Sequence, residues 1–359
     1  MTLIFTICSS NYLAHAKVLG DSLAKSNPDC RFVIGLVDSI PTEIDLKAWM
    51  SHEVIPVTEI GISNFDEMSE KYNVVELNTA VKPFYMEYFY QEDEAVEHVI
   101  YLDPDIVVYN SLSSLIAKLS THSMIVTPHS CFYDNSEDNI HYEISMLATG
   151  IYNLGFIATA RSSETSSFLT WWQVRLRDHC YYLTQPGLFV DQIWVSLAPL
   201  YFEGFFVEKD PGYNMCYWNH FERTLSFSDG NYFVNGKHNL VFYHFSSYNI
   251  DNPHKITSRE GQPIATFEVR PDLQLIYKDY QESLIAAGAY EVRPLQCAFG
   301  RKPKVDVVPE PKVIPKPIYQ RSTRDILKGV LRKSISVMPK RAKNITGRMA
   351  KMVWKTCKK

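Results

Sequence analysis

The reading of this chain turns on the stretch His98-Val-Ile-Tyr-Leu-Asp103-Pro104-Asp105-Ile-Val-Val108. Val99 to Leu102 is apolar without a break, as in a strand buried on both faces between layers of helices. Pro104 disfavours the helical region for Asp103, so the backbone stays extended there. In extended chain, residues i and i+2 point to the same side, which brings Asp103 and Asp105 together. The carboxyl ends of parallel strands border the ligand crevice of open α/β sheets. Adjacent carboxylates repel unless a cation neutralises them. A hard divalent ion that also bridges a diphosphate meets that need. The plain alternative is a solvated turn in which Asp103 caps the segment that follows. The run Ile106-Val-Val-Tyr109 argues against it, because it sets both acids beside the core.

Working outward, Leu3–Cys8 predicts a strand, Asn11–Ser26 a helix, Arg31–Val37 a second strand and Ser51–Val57 a third. Strand, helix, strand with near-continuous apolar strands implies βαβ units and a parallel sheet covered on both faces. Thr79–Tyr90 predicts a loop and helix, with Pro83 in the first turn. Strands are expected at 97–102, 123–127, 152–159 and 240–245. Helices are expected at 163–182, at 189–200 (stopped near Pro199) and at 273–287, the last ending at Gly288. The Trp171-Trp172 pair reads as core. Asp210-Pro-Gly-Tyr-Asn214 reads as a turn.

The chain has 359 residues, 46% of them apolar, enough for a large core. Its seven cysteines are scattered with no C-x-x-C, which reads as free thiols in a reducing compartment. The start of the chain has no basic flank, so it reads as a strand and not as a signal peptide, and the expected location is cytoplasmic. The net charge of −4 is unevenly spread: residues 320–359 hold thirteen Lys/Arg and one acid, Asp325. An acidic body with a basic tail does not suit a nucleic-acid binder. Residues 300–319 contain five prolines and read as a linker between a domain at 1–299 and that tail. Apolar residues recur at helical spacing within 320–359. The expectation is a basic amphipathic helical tail on the cytoplasmic face of the inner membrane.

The strand with its D-x-D resembles the metal motif of GT-A-fold nucleotide-sugar glycosyltransferases, in particular the bacterial, retaining, family-8-like group. Four further stretches fall in that group's order. Phe5-Thr-Ile-Cys-Ser-Ser-Asn-Tyr12 is similar to the nucleotide-binding first strand. The resemblance implies that Tyr12 stacks on the base and that backbone near Thr6 and Ile7 bonds to it. Thr79-Ala-Val-Lys-Pro-Phe places Lys82 as the basic residue near the donor phosphates. Gly150-Ile-Tyr-Asn-Leu-Gly-Phe resembles the element bordering the donor sugar, pointing to Asn153 and Gly155. Phe189-Val-Asp-Gln-Ile-Trp resembles the element beside the anomeric carbon, pointing to Asp191 and Gln192 as catalytic. Val241-Phe-Tyr-His-Phe-Ser-Ser resembles the strand that returns a histidine to the metal, here His244. No Lys-Pro-Trp follows this histidine. The run, with Tyr280, Leu284 and Gly288 after it, is closer to a group of bacterial members with H-F-S-G-Y and a terminal Y…L…G helix.

The resemblance implies an α/β GT-A fold with Asp103, Asp105 and His244 as metal ligands. The imidazole makes Mn²⁺ the expected ion, with Mg²⁺ the alternative. The expected reaction moves a hexose from a nucleotide diphosphate, UDP-linked, to a hydroxyl of a surface glycan or glycolipid such as lipopolysaccharide, O-antigen or capsule. Two rivals stay open. A sugar-phosphate nucleotidyltransferase would want a Gly-rich basic loop after the first strand, where Ser9-Ser-Asn-Tyr12 stands. A non-catalytic glycan-binding or membrane scaffold protein of the same fold is the other. Each site residue also has a structural alternative: His244, Tyr12 and Gly155 as packing, Asn153 as a turn, Asp191 as a helix cap, Lys82 as an exposed helix start.

Overall fold

The computed structural model describes residues 1–185, 187–259 and 266–300. The expected linker, apart from Gly300, and the expected tail lie outside these residues. The elements that position the site are β1 (Thr2–Cys8), α1 (Leu13–Ser26), β2 (Arg31–Leu36), β3 (Glu53–Pro56), α2 (Val74–Ala80), α3 (Lys82–Glu92), β4 (His98–Leu102) and β5 (Ile106–Val108). They are followed by β6 (Met124–Pro128), α4 (Glu137–Thr149), β7 (Tyr152–Ala160), α5 (Ser163–His179), β8 (Phe205–Val207), β9 (Phe242–His244) and α6 (Gln274–Ala286).

Seven strands form one sheet in the order β8-β6-β7-β4-β1-β2-β3. β1 runs parallel to β2 and β4, β2 to β3, and β8 to β6. The parallel sheet expected from the sequence is present, with one exception: β7 runs antiparallel between β4 and β6. A strand buried on both faces is apolar throughout, so its pattern carries no direction. Alternation sorts β1 between two cores. Leu3, Phe5 and Ile7 pack with Tyr85, Met86 and Phe89 of α3 and with Trp172 of α5, while Ile4 packs with Leu19 and Leu23 of α1.

Local signals explain the helices. Asn73 accepts from Val75 N and Glu76 N at 3.0 Å each, and Glu76 accepts from Asn73 N at 3.0 Å, a capping box for α2. The expected loop at 79–81 is therefore mostly helix, with α3 restarting at Lys82 and Pro83 in its first turn. The single helix expected over 189–200 is two one-turn helices, Gln192–Val195 and Ala198–Tyr201. Pro199 opens the second one; its ring cannot follow the carbonyl four residues back in an unbroken helix. Gly288 closes α6 with φ +77°, the left-handed conformation glycine adopts without strain. Cys8, Cys30, Cys131, Cys180 and Cys216 are free thiols, and no described helix is long and apolar enough to cross a membrane.

Candidate metal and donor site

The carboxyl end of β4 delivers Asp103 and Asp105, and β9 delivers His244 by pairing antiparallel with β5, His244 opposite Ile106. Phe245 N donates to Asp105 O at 2.9 Å, locking the register next to the histidine. His244 Nε2 lies 3.0 Å from Asp105 Oδ1 and 3.6 Å from Asp103 Oδ2. One ligand atom from each of the three residues falls within 4.8 Å of the others. Burial works against charge on Asp105 and His244, yet their mutual attraction prevails. The Asp105 carboxyl is held below its ordinary range and the His244 imidazole above its own. Two oxygens and an aimed, buried imidazole are a donor set that fits a first-row divalent cation. His244 Nδ1 has no partner among the described residues, and the ring is held edge-on by Trp218 at 5.2 Å.

Gly155 is what makes room for this histidine. A Cβ there would lie 2.5 Å from His244 Cε1 and 2.8 Å from Asn153 Oδ1. β7 is irregular at this point: Val126 pairs with Ile157, but Thr127 pairs with Asn153, so Leu154, Gly155 and Phe156 have no partner on β6. Bulges of this kind re-aim side chains next to functional sites. Here Asn153 turns its Oδ1 to Gly155 N at 3.1 Å and to Asn214 Nδ2 at 3.0 Å. Gly155→Ala is expected to cost about 1–3 kcal/mol by overpacking and to push His244 off Asp105. Thermal denaturation checks it, and an unchanged Tm rules it out.

Lys82 and Asp191 meet in the interior. Their Nζ···Oδ2 separation is 2.5 Å, with side-chain exposures of 1% and 3%. Lys82 Nζ also donates to Leu154 O at 2.7 Å. Asp191 precedes the Gln192–Val195 helix but makes no side-chain cap. Instead its backbone carbonyl accepts from Trp172 Nε1 at 3.3 Å. Burial raises the Asp191 carboxyl while Lys82 pulls it down. Gln192 Nε2 donates to Thr149 O at 2.8 Å, and its backbone lies 3.2 Å from where a Gly150 Cβ would sit.

Thr6 and Ile7 are buried, and the pairing of β1 with β4 stops at Phe5. Tyr12 is exposed and lies flat on His15, centroids 4.4 Å apart. His15 Nδ1 is 2.8 Å from the Tyr280 hydroxyl, and Tyr280 stacks on Phe245 at 3.8 Å. An aromatic ladder thus leads from His244 to a cleft of about 350 Å³ lined by Asn11, Tyr12, His15, Ser247, Asn249 and Arg293 among others. Burial brings His15 down to about 4, so it is neutral at pH 7.

Sequence reasoning does not single out Asn214, His129 or Trp218. Asn214 is buried with φ +56° and donates to Thr127 Oγ1 at 2.8 Å. Its Oδ1, His129 Nδ1 and Trp218 Nε1 are buried without partners among the described residues. The available signal was the turn Asp210-Pro-Gly-Tyr-Asn214, since asparagine tolerates the left-handed region.

A mostly parallel sheet with an Asp-Asp-His cluster at the carboxyl end of β4 is the arrangement expected of a GT-A-fold glycosyltransferase that uses a nucleotide-sugar. The model of glycosyl transferase family 8 matches residues 3–187, more than half of the chain, and the chain belongs to that family. It is similar to the uncharacterized protein YfnF of Bacillus subtilis (strain 168), 25% identical over 282 residues, which are 78% of this chain and 90% of that one. Among solved structures it is similar to the galactosyltransferase LgtC in complex with donor and acceptor sugar analogs, at 15% identity. That match covers 80% of this chain and 96% of the other, with a TM-score of 0.46. It is also similar to the glycosyltransferase GlyE of Streptococcus pneumoniae TIGR4, at 13% identity over 81% of this chain and 65% of that one, TM-score 0.46.

Proposed function

We propose that the chain transfers a hexose, with retention, from a UDP-linked donor to a hydroxyl of a bacterial surface glycan or glycolipid. The observation that carries this reading is the convergence of Asp103, Asp105 and His244 in a chain of this family. These three would hold Mn²⁺, or Mg²⁺ in its place. A bound divalent ion supplies charge neutralisation to a diphosphate leaving group. Tyr12 presents an exposed ring to a base, and Thr6 and Ile7, paired with β2 but past the end of the pairing with β4, would offer backbone groups to it. Asn153 and Gly155 border the sugar. Asp191 and Gln192 flank the anomeric centre. Lys82 fixes Asp191 through their buried contact at 2.5 Å.

The reading is tested with a panel of nucleotide-sugars scored for Mn²⁺-dependent hydrolysis and thermal shift. UDP-sugars are expected to stand out and to need the ion. If Mn²⁺ alters neither donor affinity nor thermal stability, the proposal fails. The acceptor and location are proposed on the tail: its thirteen basic residues would hold the enzyme at an anionic inner-membrane surface, each adding up to about 1 kcal/mol. Deleting 320–359 is expected to abolish co-sedimentation with anionic liposomes and to spare transfer to a soluble acceptor. Liposome binding that survives the deletion rules the anchor out.

A further inference from the structure

Between the acidic cluster and the buried Lys82–Asp191 pair stands Tyr101, on β4 two residues before Asp103. Its ring is buried, edge-on to Phe5 at 5.1 Å. Its hydroxyl donates to Asp103 Oδ1 at 2.6 Å. The other oxygen, Oδ2, is the one 3.6 Å from His244 Nε2. One carboxylate oxygen is therefore held by the tyrosine, and the other is the one nearest His244. Residues i and i+2 of a strand share a side, which is why a tyrosine at this position reaches Asp103. Above the same ring, Lys82 Nζ sits 4.1 Å from the centroid. A cation on the π-face draws electron density from the phenol and makes its O–H a stronger donor.

We infer that Tyr101 is a positioning residue for the metal site: it pins Asp103 so that one oxygen is presented to the ion. Through Lys82, it also ties that ligand to Asp191 on the sugar side. A partner that orients a ligand raises affinity without touching the ion, and losing such partners weakens binding about 10–100-fold. The inference rests on the proposed metal site.

The test is Mn²⁺ binding to the full-length protein without donor, read from the free-ion EPR signal, in wild type and Tyr101→Phe. Phenylalanine keeps the ring, the contact with Phe5 and the face under Lys82, so circular dichroism and Tm are expected to stay near wild type. The expected result is Mn²⁺ affinity lowered about 10–100-fold, with the loss in transfer rate made good by raising Mn²⁺. A merely structural role would lower Tm and rate while leaving the dissociation constant in place. Unchanged Mn²⁺ affinity in Tyr101→Phe overturns the inference and leaves the metal site standing. Absence of Mn²⁺ binding by wild type overturns both.

Discussion

Asp103→Ala is expected to abolish Mn²⁺-dependent transfer, with kcat/KM falling about a thousandfold or more. The estimate follows from the several kcal/mol that a bound divalent ion contributes at a charged leaving group. Two losses combine. The site loses one of three converging ligands, and His244 and Asp105 remain as an ion pair at 3.0 Å with no third group to complete a cation site. The Tyr101 hydroxyl also loses its acceptor in a buried position, which costs a further ~1–3 kcal/mol of stability. Asp103→Asn separates the two effects, because its side-chain oxygen can still accept from Tyr101 while the charge is gone. It is expected to be as inactive as the alanine variant but close to wild type in Tm. Steady-state kinetics over a Mn²⁺ series checks the claim. Transfer by Asp103→Ala within tenfold of wild type, at equal Mn²⁺, would show that this aspartate holds no essential ion.

Lys82→Met carries the largest expected effect on stability. It leaves Asp191 ionisable and buried with no cation at 2.5 Å. Removing one member of a buried pair costs about 3–5 kcal/mol, mainly because the other charge is stranded. The Leu154 carbonyl loses its donor as well. The double variant Lys82→Met/Asp191→Leu removes both charges and is expected to regain most of the lost stability, as apolar replacement of buried pairs often does. It is expected to remain inactive. Urea unfolding of the two variants decides the point. Equal stability of Lys82→Met and wild type, or a double variant less stable than the single, contradicts a buried pair whose members depend on each other.

The fold was legible where burial writes itself into composition. β1, β2 and β4 are apolar runs, and the D-x-D after Leu102 marks the ligand end of the sheet. Strand direction was not legible, which is why β7 came out antiparallel. Helix α4 was not among the expected elements. Its Ile140, Ile144 and Leu147 are exposed, so the residues that would signal a packed face do not face the core. Within the site, Asp103, Asp105 and His244 could be named from the sequence and the structure brings them together. Their distances could not, because the register of β9 on β5 is a tertiary fact. The Lys82–Asp191 pair joins residues far apart in the chain, and nothing local in either segment announces the other. Lys82 was read as a residue near the donor phosphates with an exposed helix start as the alternative, and it is almost wholly buried. Gly155 was open to two readings, and the reason for a glycine there is now specific: the imidazole of His244 occupies the space.

The pairing of β9 with β5 has a consequence for biosynthesis. The two aspartates are synthesised long before the histidine, and the three meet only when a late strand has docked against an early one. An ion that needs all three can bind only the finished fold. Its binding energy then becomes folding energy, about 2.7 kcal/mol when free ion stands at a hundred times its dissociation constant. If the proposed ion binds there, its cellular level would bear on the abundance of folded protein as well as on its rate.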